Sequence, residues 1–350
     1  MRFIRNSQCG PVSLGDDRAF SFHSSLDGYQ PTPLHQCQLD HLHFWAKDER
    51  VRMGLPAFKI LGASYAVFRK LQSQGLPEGC SSFPEMAAWL QAPRPQLVTA
   101  TDGNHGRAVA AVARWLGLQA HVFVPEGTAD QRIDAISSEG AQVHVAPGNY
   151  EIAVQWASQR VSDHVWLIQD TAFEGYTQIP QWIAEGYSTM VAETRDQLGH
   201  RTPELIAVQV GVGTLAQAVV QLAAKYWPDA RILGVEPERA PCLYASIQAG
   251  TRVQVDTKHT SMTGLNCGLL SANAWSTLRD GLHGSMLINE VEAERASRSM
   301  ISMGLPTGAS GVAGVAALQR IQNEFPDWLG TTNLVFLTES INESDEFKDL

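Results

Sequence analysis

Four short stretches of this 350-residue chain carry residue types able to do chemistry. In GLPAFKILGASYAV (54–67), Lys59 stands alone between Phe58 and Ile60, ahead of a run of small and apolar residues. Burial disfavours an ammonium, and an amine freed of its proton forms a Schiff base with an aldehyde. The plainer reading is a lysine that buries its stem and extends its charge to water. The stretch GVGTLA (211–216) sets Gly211, Val212, Gly213, Thr214 and Leu215 where a strand should pass into a helix. Glycines there let backbone N–H groups approach an anion, and the helix dipole favours negative charge, so a phosphate group is the expected ligand. The same letters satisfy G-x-G-x-x-A, with Glu236 standing about 20 residues on, where a ribose-binding acid belongs. A tight turn with no ligand is the third reading. TDGNHGRAVA (101–110) is a second glycine-rich turn, carrying Asp102, Asn104 and His105. Asn104 is alternatively a helix N-cap and His105 an ordinary first-turn histidine. Finally, Asp170 follows the run VWLIQ (165–169), and an acid at the carboxyl end of a parallel strand faces the crevice where ligands bind. It is otherwise a cap, with Tyr176 a core residue.

The elements that must position these residues follow from periodicity. From Gln96 onward, short β-branched and apolar runs alternate with amphipathic segments, the pattern of βαβ units and parallel sheets. Strands are expected at 97–100, 120–124, 141–145 and 165–169, with helices at 106–116, from Thr128 as N-cap to about 138, and around 150–160. A second series runs through a long helix (179–198), strands at 205–210 and 231–237, helices at 214–226, 291–303 and 310–325, and a closing strand, 334–338. Upstream, LHFWA reads as a strand and 62–74 as a helix. The expected fold class is α/β, with three-layer αβα packing in two domains. Residues 1–94 and 176–350 are expected to form a discontinuous large domain, and 95–175 a small inserted one that closes over substrate.

Composition excludes several classes. The formal net charge is −10 and no Lys/Arg-rich block is present, which argues against a nucleic-acid partner. Apolar stretches such as 108–124 are broken by Arg114 and Gln119 well short of a membrane span of ~20 residues. The N-terminus carries no apolar core of signal-peptide length, so a soluble, cytoplasmic protein is expected. Five widely spaced cysteines, without CxxC or Cys/His ligand spacing, read as free thiols and give no support for a metal site. The acidic tail NESDEFKDL reads as a solvated end.

Taken together and in order, these stretches resemble the fold type II pyridoxal-phosphate enzymes, the group of the serine and threonine dehydratases, serine racemase and the tryptophan synthase β chain. Within it the resemblance is to the diaminopropionate ammonia-lyases. It extends through VPEGTADQRIDAISSEGA (124–141), QDTAFEGYTQIPQWIAEGY (169–187), GVEPERAPCLYASIQAG (234–250), MTGLNCG (262–268) and TGASGVAG (307–314), covering about residue 40 to the last strand. The resemblance implies that Lys59 carries the Schiff base to pyridoxal 5′-phosphate and that the amides of Gly211 to Leu215 hold its phosphate. Asn104 would hydrogen-bond the 3′ oxygen, and Thr338 would meet the pyridine nitrogen. A hydroxyl partner does not stabilise a protonated ring nitrogen, which makes the cofactor a milder electron sink suited to elimination.

Where dehydratases and racemases of the group carry serine or a similar small residue, this chain has Asp102. A carboxylate there would bind a second substrate ammonium and exchange a proton on the side opposite Lys59. That implies α,β-elimination of 2,3-diaminopropionate, with Lys59 acting on the L form and Asp102 on the D form, and Asp170 assisting with the substrate amine or a proton. The partner is a small amino acid and the implied assembly a homodimer. Two departures stand out: Ala309 replaces an expected glutamate, and Glu339-Ser340-Ile341-Asn342 replaces a glycine and acidic turn. They keep other readings open: dehydration, racemisation or β-replacement with the same cofactor, a nucleotide enzyme using GVGTLA, or a silent cofactor-binding relative.

Overall fold

A computed structural model describes residues 2–101 and 103–341, so Asp102 and the acidic tail lie outside the described residues. The strands are β1 (Phe3–Arg5), β2 (Leu34–Leu39), β3 (Leu42–Asp48), β4 (Gln96–Ala100), β5 (Gln119–Pro125), β6 (Gln142–Ala146), β7 (Val165–Leu167), β8 (Leu205–Gln209), β9 (Arg231–Pro237), β10 (Gly284–Ile288) and β11 (Asn333–Leu337). The helices are α1 (Arg18–Ser25), α2 (Lys59–Ser73), α3 (Phe83–Trp89), α4 (Asn104–Leu116), α5 (Asp130–Ser137), α6 (Tyr150–Ser158), α7 (Gln178–Leu198), α8 (Thr214–Tyr226), α9 (Cys242–Ala249), α10 (Ala272–Gly281), α11 (Glu290–Ser302) and α12 (Ala313–Glu324). The chain divides into two compact units, the first comprising 1–17, 31–58 and 187–350, the second 18–30 and 59–186.

In the first unit a seven-stranded sheet runs β1-β10-β9-β8-β11-β3-β2. Its five inner strands are parallel, and the edge strands β1 and β2 pair antiparallel. Every residue of β8 and β11 is buried, so this sheet is covered on both faces, as parallel sheets are. Phe44, Ala207, Leu233, Val335 and Leu337 from the strands pack with Ala313, Val315 and Leu318 of α12 in one apolar cluster. Each fully buried large aliphatic or aromatic side chain there contributes about 1.5–3 kcal/mol.

The second unit is a parallel four-stranded sheet, β6-β5-β4-β7. Val98, Ala100, Phe123 and Leu167 form its core with Ala153 and Ala157 of α6. Helix α2 belongs here by its packing on α4, and α1 packs on α2 through stacked Phe22 and Phe68 rings 4.1 Å apart. For that reason this unit takes in 18–30 together with its main stretch, 59–186.

The expected series of strands and helices is present, with local differences. Helix α2 starts at Lys59 rather than near Gly62. Thr128 is not an N-cap: its Oγ1 donates to the Pro125 carbonyl at 2.7 Å, and Ala129 holds the cap position of α5. The final strand ends at Leu337, leaving Thr338 just beyond it. The five cysteines are free thiols, with Cys37 and Cys242 buried and Cys9 exposed.

Candidate active site

Each sheet contains a reversal of strand order among its parallel strands, and a crevice opens beyond the strand ends where that happens. In the second unit the chain steps outward from β4 through β5 to β6, then returns to add β7 on the other side of β4. The turns after β4 and β7 therefore flank one switch point. They carry Asn104 and His105 on one side and Asp170 on the other. Asn104 is the first residue of α4 rather than its cap; Gly103 holds the cap position and supplies no side-chain bond.

Lys59 and Asp170 meet. Lys59 Nζ donates to Asp170 Oδ2 at 2.8 Å, with side-chain exposures of 22 % and 7 %. Lys59 thus lies between the two sequence expectations: most of its side chain is buried, but its amine pairs with a carboxylate and is not enclosed by apolar groups alone. Burial, the largest influence, pushes the Asp170 carboxyl up, but Lys59 foremost and then His105 outweigh it and bring it down to about 2. The result is a buried carboxylate that stays ionised beside an accessible amine.

The backbone presenting Asp170 is tied down by side chains on both sides of the switch point. Tyr176 Oη donates to the Leu167 carbonyl at 2.7 Å and accepts from the Gln169 N–H at 2.9 Å. Gln169 Oε1 accepts from the Ala100 N–H at 2.9 Å and from Thr99 Oγ1 at 3.0 Å, joining the β7 turn to β4. His105 Nε2 faces the Ile168 carbonyl at 2.8 Å, a contact that requires the proton on that nitrogen. Tyr176 is therefore a hydrogen-bonded brace and not simply core.

In the first unit, β8 to β10 step outward and β11 returns beside β8, so the second switch point lies between the ends of β8 and β11. Gly211 to Leu215 leave β8 and enter α8, while Thr338 leaves β11. Gly213 caps α8 in the left-handed region (φ 95°), which only glycine adopts at low cost, and as the cap residue it brings no side-chain bond to this N-terminus. A Cβ on Gly211 would stand 2.9 Å from the Gly264 carbonyl oxygen, so the backbone itself forms the wall there. The Ser271 N–H bonds the Val212 carbonyl at 2.8 Å and fixes the loop.

Glu236 does not reach outward as a ribose ligand would. Its buried carboxyl group accepts from the N–H groups of Leu243 (2.9 Å) and Tyr244 (2.6 Å), capping α9, and burial pushes its pKa up to about 8. This removes the acid on which the dinucleotide reading of GVGTLA relied.

Thr338 is buried, and its Oγ1 accepts from Gln209 Nε2 at 3.0 Å. Its carbonyl accepts from the N–H of Phe58, the residue before Lys59 in the chain. The altered turn beyond it is well anchored. Ser340 bonds the Pro56 carbonyl through its N–H (2.9 Å) and the Arg50 carbonyl through Oγ (2.7 Å), while the Gly308 N–H bonds the Glu339 carbonyl. Ala309 is a fully buried methyl in the sheet's core cluster. Gln209 was legible in principle, being the one polar side chain in the otherwise apolar β8 strand LIAVQ.

Each unit by itself offers part of what a phosphorylated aldehyde with a ring nitrogen needs: in the first, a backbone-walled helix N-terminus suits a phosphate and a buried hydroxyl suits a ring nitrogen; in the second, a lysine amine paired to a carboxylate suits the aldehyde. The sequence pattern that defines the pyridoxal-phosphate dependent enzymes matches residues 26–339. Diaminopropionate ammonia-lyase of Escherichia coli (strain K12) is 39 % identical over 276 residues, 75 % of this chain and 69 % of that protein. The enzyme of the same name from Salmonella typhimurium (strain LT2) is 34 % identical over 331 residues, 87 % and 81 % of the respective chains. A crystal structure of the Escherichia coli lyase in complex with D-serine superposes with a TM-score of 0.88 at 31 % identity, covering 97 % of this chain and 93 % of that one.

Proposed function

The chain belongs to the pyridoxal-phosphate-dependent enzyme family, and we propose that it is an ammonia-lyase which converts 2,3-diaminopropionate and water to pyruvate and two molecules of ammonia. The observation that carries this reading is the ion pair of Lys59 with the buried, ionised Asp170 at a strand-order reversal. The identity to diaminopropionate ammonia-lyases over most of the chain supports it.

Lys59 would hold pyridoxal phosphate through Nζ, Asn104 would bond its 3′ oxygen, the amides of Gly211, Val212, Gly213, Thr214 and Leu215 would hold its phosphate, and Thr338 would meet its ring nitrogen. Bound there, the cofactor supplies an aldehyde for amine capture and an electron sink that acidifies the substrate α-carbon. Lys59 Nζ takes the α-proton of the L substrate. Asp170 keeps that nitrogen in place and shares its proton, a role for which a carboxylate that remains ionised is suited. Asp102 binds the β-ammonium of the substrate and takes the α-proton of the D form. The β-nitrogen leaves as ammonia only when protonated, so where it is held as the neutral amine Lys59 Nζ in its ammonium form or Asp102 first gives it a proton. Water then releases the second ammonia and leaves pyruvate. The same proposal includes a homodimer in the cytoplasm; among the described residues no helix is long and apolar enough to cross a membrane.

Pyruvate release from L- and D-diaminopropionate, serine and threonine tests this. Turnover of diaminopropionate well above that of serine and threonine is expected; preference for a hydroxy amino acid would transfer the chain to the dehydratase reading. Asp102→Ala should impair the D substrate more than the L substrate, and equal loss would remove the role given to Asp102.

A further inference from the structure

Gln209 is 2 % exposed, and its amide sits among acceptors. Nε2 lies 3.0 Å from the Phe336 carbonyl, 3.3 Å from that of Gly311, 3.4 Å from that of Ser310 and 3.0 Å from Thr338 Oγ1. Three backbone carbonyls accept and never donate, so exchanging the amide nitrogen and oxygen would set Oε1 against all three. The amide orientation is therefore fixed, and Thr338 Oγ1 must be the acceptor in its bond to Gln209. Its hydrogen has to point elsewhere, yet among the described residues it meets no acceptor in this buried position. A buried hydroxyl without an acceptor costs about 1–3 kcal/mol.

We propose that Gln209 is a positioning residue: by donating to Thr338 Oγ1 it turns the Thr338 O–H outward as a donor to the unprotonated ring nitrogen of bound pyridoxal phosphate. The inference rests on the cofactor reading above. It explains why an amide ends β8, a strand otherwise made of Leu, Ile, Ala and Val. It also assigns the electronic state of the ring to a residue outside direct reach of the reacting atoms. A neutral nitrogen accepts the O–H, whereas a protonated one would leave that hydrogen without a partner.

The test uses the full chain loaded with pyridoxal phosphate labelled with 15N in the ring, reading the nitrogen shift from pH 6 to 9 and the cofactor affinity by equilibrium dialysis. Wild type and Thr338→Ser should show an unprotonated, hydrogen-bonded nitrogen throughout. Gln209→Met should move the shift to that of Thr338→Val and weaken cofactor binding by the same factor, about 3- to 10-fold for one hydrogen bond. The double variant Gln209→Met/Thr338→Val should bind no more weakly than Thr338→Val alone. A Gln209→Met chain with unchanged shift and affinity, or losses that multiply in the double variant, would overturn the inference. If Gln209→Met does not fold, the wild-type spectrum still decides, because a protonated ring nitrogen contradicts the proposal by itself. A wild-type chain that takes up no pyridoxal phosphate would overturn the cofactor reading and this inference together; normal uptake with a protonated nitrogen would overturn this inference alone.

Discussion

Lys47 and Lys59 are twelve positions apart and both pair with a buried carboxylate, but their surroundings give them opposite tasks. Lys47 is fully buried at the end of β3, where its three N–H groups meet Glu193 (2.5 Å), the Thr32 carbonyl (2.7 Å) and Gln197 (2.9 Å). Arg52 completes the cluster by bonding Glu49 at 2.6 and 2.8 Å and Glu193 at 2.7 and 2.9 Å, so two cations face two carboxylates away from the surface. Burial pushes the Lys47 amine down against the pull of Glu49 and Glu193, and Glu193 is held down at about 2 by Arg52 and Lys47 against its own burial. Lys59 instead begins a helix at a strand-order reversal, with a fifth of its side chain open to solvent. A cation whose donors are all engaged in the dry interior fixes the fold. One that keeps part of its side chain open to solvent beside the Asp170 carboxylate can exchange partners, and chemistry requires that.

Substitutions should separate the two lysines. Lys59→Ala is expected to lower kcat/KM for diaminopropionate by about 10³-fold or more, roughly the scale of a proton-transfer group, while stability falls only by the ~2 kcal/mol that Asp170 draws from this pairing. Lys47→Met should do the reverse: about 3–5 kcal/mol of stability lost in urea titration, because Glu49 and Glu193 then face Arg52 alone. Adding Glu193→Gln to Lys47→Met should recover part of that loss, and no recovery would mean that charge balance is not what holds the cluster. Asp170→Asn should reduce kcat about 10²-fold, with stability measured without added cofactor lower by ~2 kcal/mol at neutral pH.

The pH dependence of that last difference has a definite sign. The folded carboxyl lies below its ordinary value, so its contribution is complete above about pH 4 and disappears as the pH falls toward 2. Wild type and Asp170→Asn should therefore converge in stability between pH 4 and 2 and stay at a constant separation from pH 5 to 8. A separation that changes near pH 6 would point to another titrating group. The smallest effect belongs to Tyr176→Phe, which removes the hydroxyl that braces Leu167 and Gln169. About 1 kcal/mol of stability should go, with KM rising more than kcat falls. An unchanged KM would show that the brace does not position Asp170.

The alternation of apolar runs with amphipathic segments is a local property of the chain, and most of the parallel strands and their helices could be read from it, but the parallel strand β10 and the helices α9 and α10 were not. Edge strand β2, LHQCQL, was missed because only its Cys37 is buried, which leaves no clear period. The start of α2 was missed because Lys59 looked like the end of a loop. Spacing placed Glu236 where a ribose ligand belongs, yet Pro241 at the cap position of α9 offers no side-chain oxygen, and Glu236 supplies it from β9. The types of the site residues were legible; their partnerships were not. Lys59 and Asp170 are 111 positions apart, and Gln209 and Thr338 are 129 apart, so only the sheet order brings each pair within a hydrogen bond. For the same reason Lys47 escaped notice, since its partner Glu193 lies far along the chain in α7.

Reductive trapping addresses the central claim most directly. The chain is loaded with pyridoxal phosphate, treated with borohydride and mapped by peptide mass spectrometry. The expected result is a phosphopyridoxyl group on the peptide containing Lys59, stoichiometric with the chain and absent in Lys59→Ala. Labelling of Lys47 or another lysine, or no labelling in a chain that nonetheless releases pyruvate, would contradict the account.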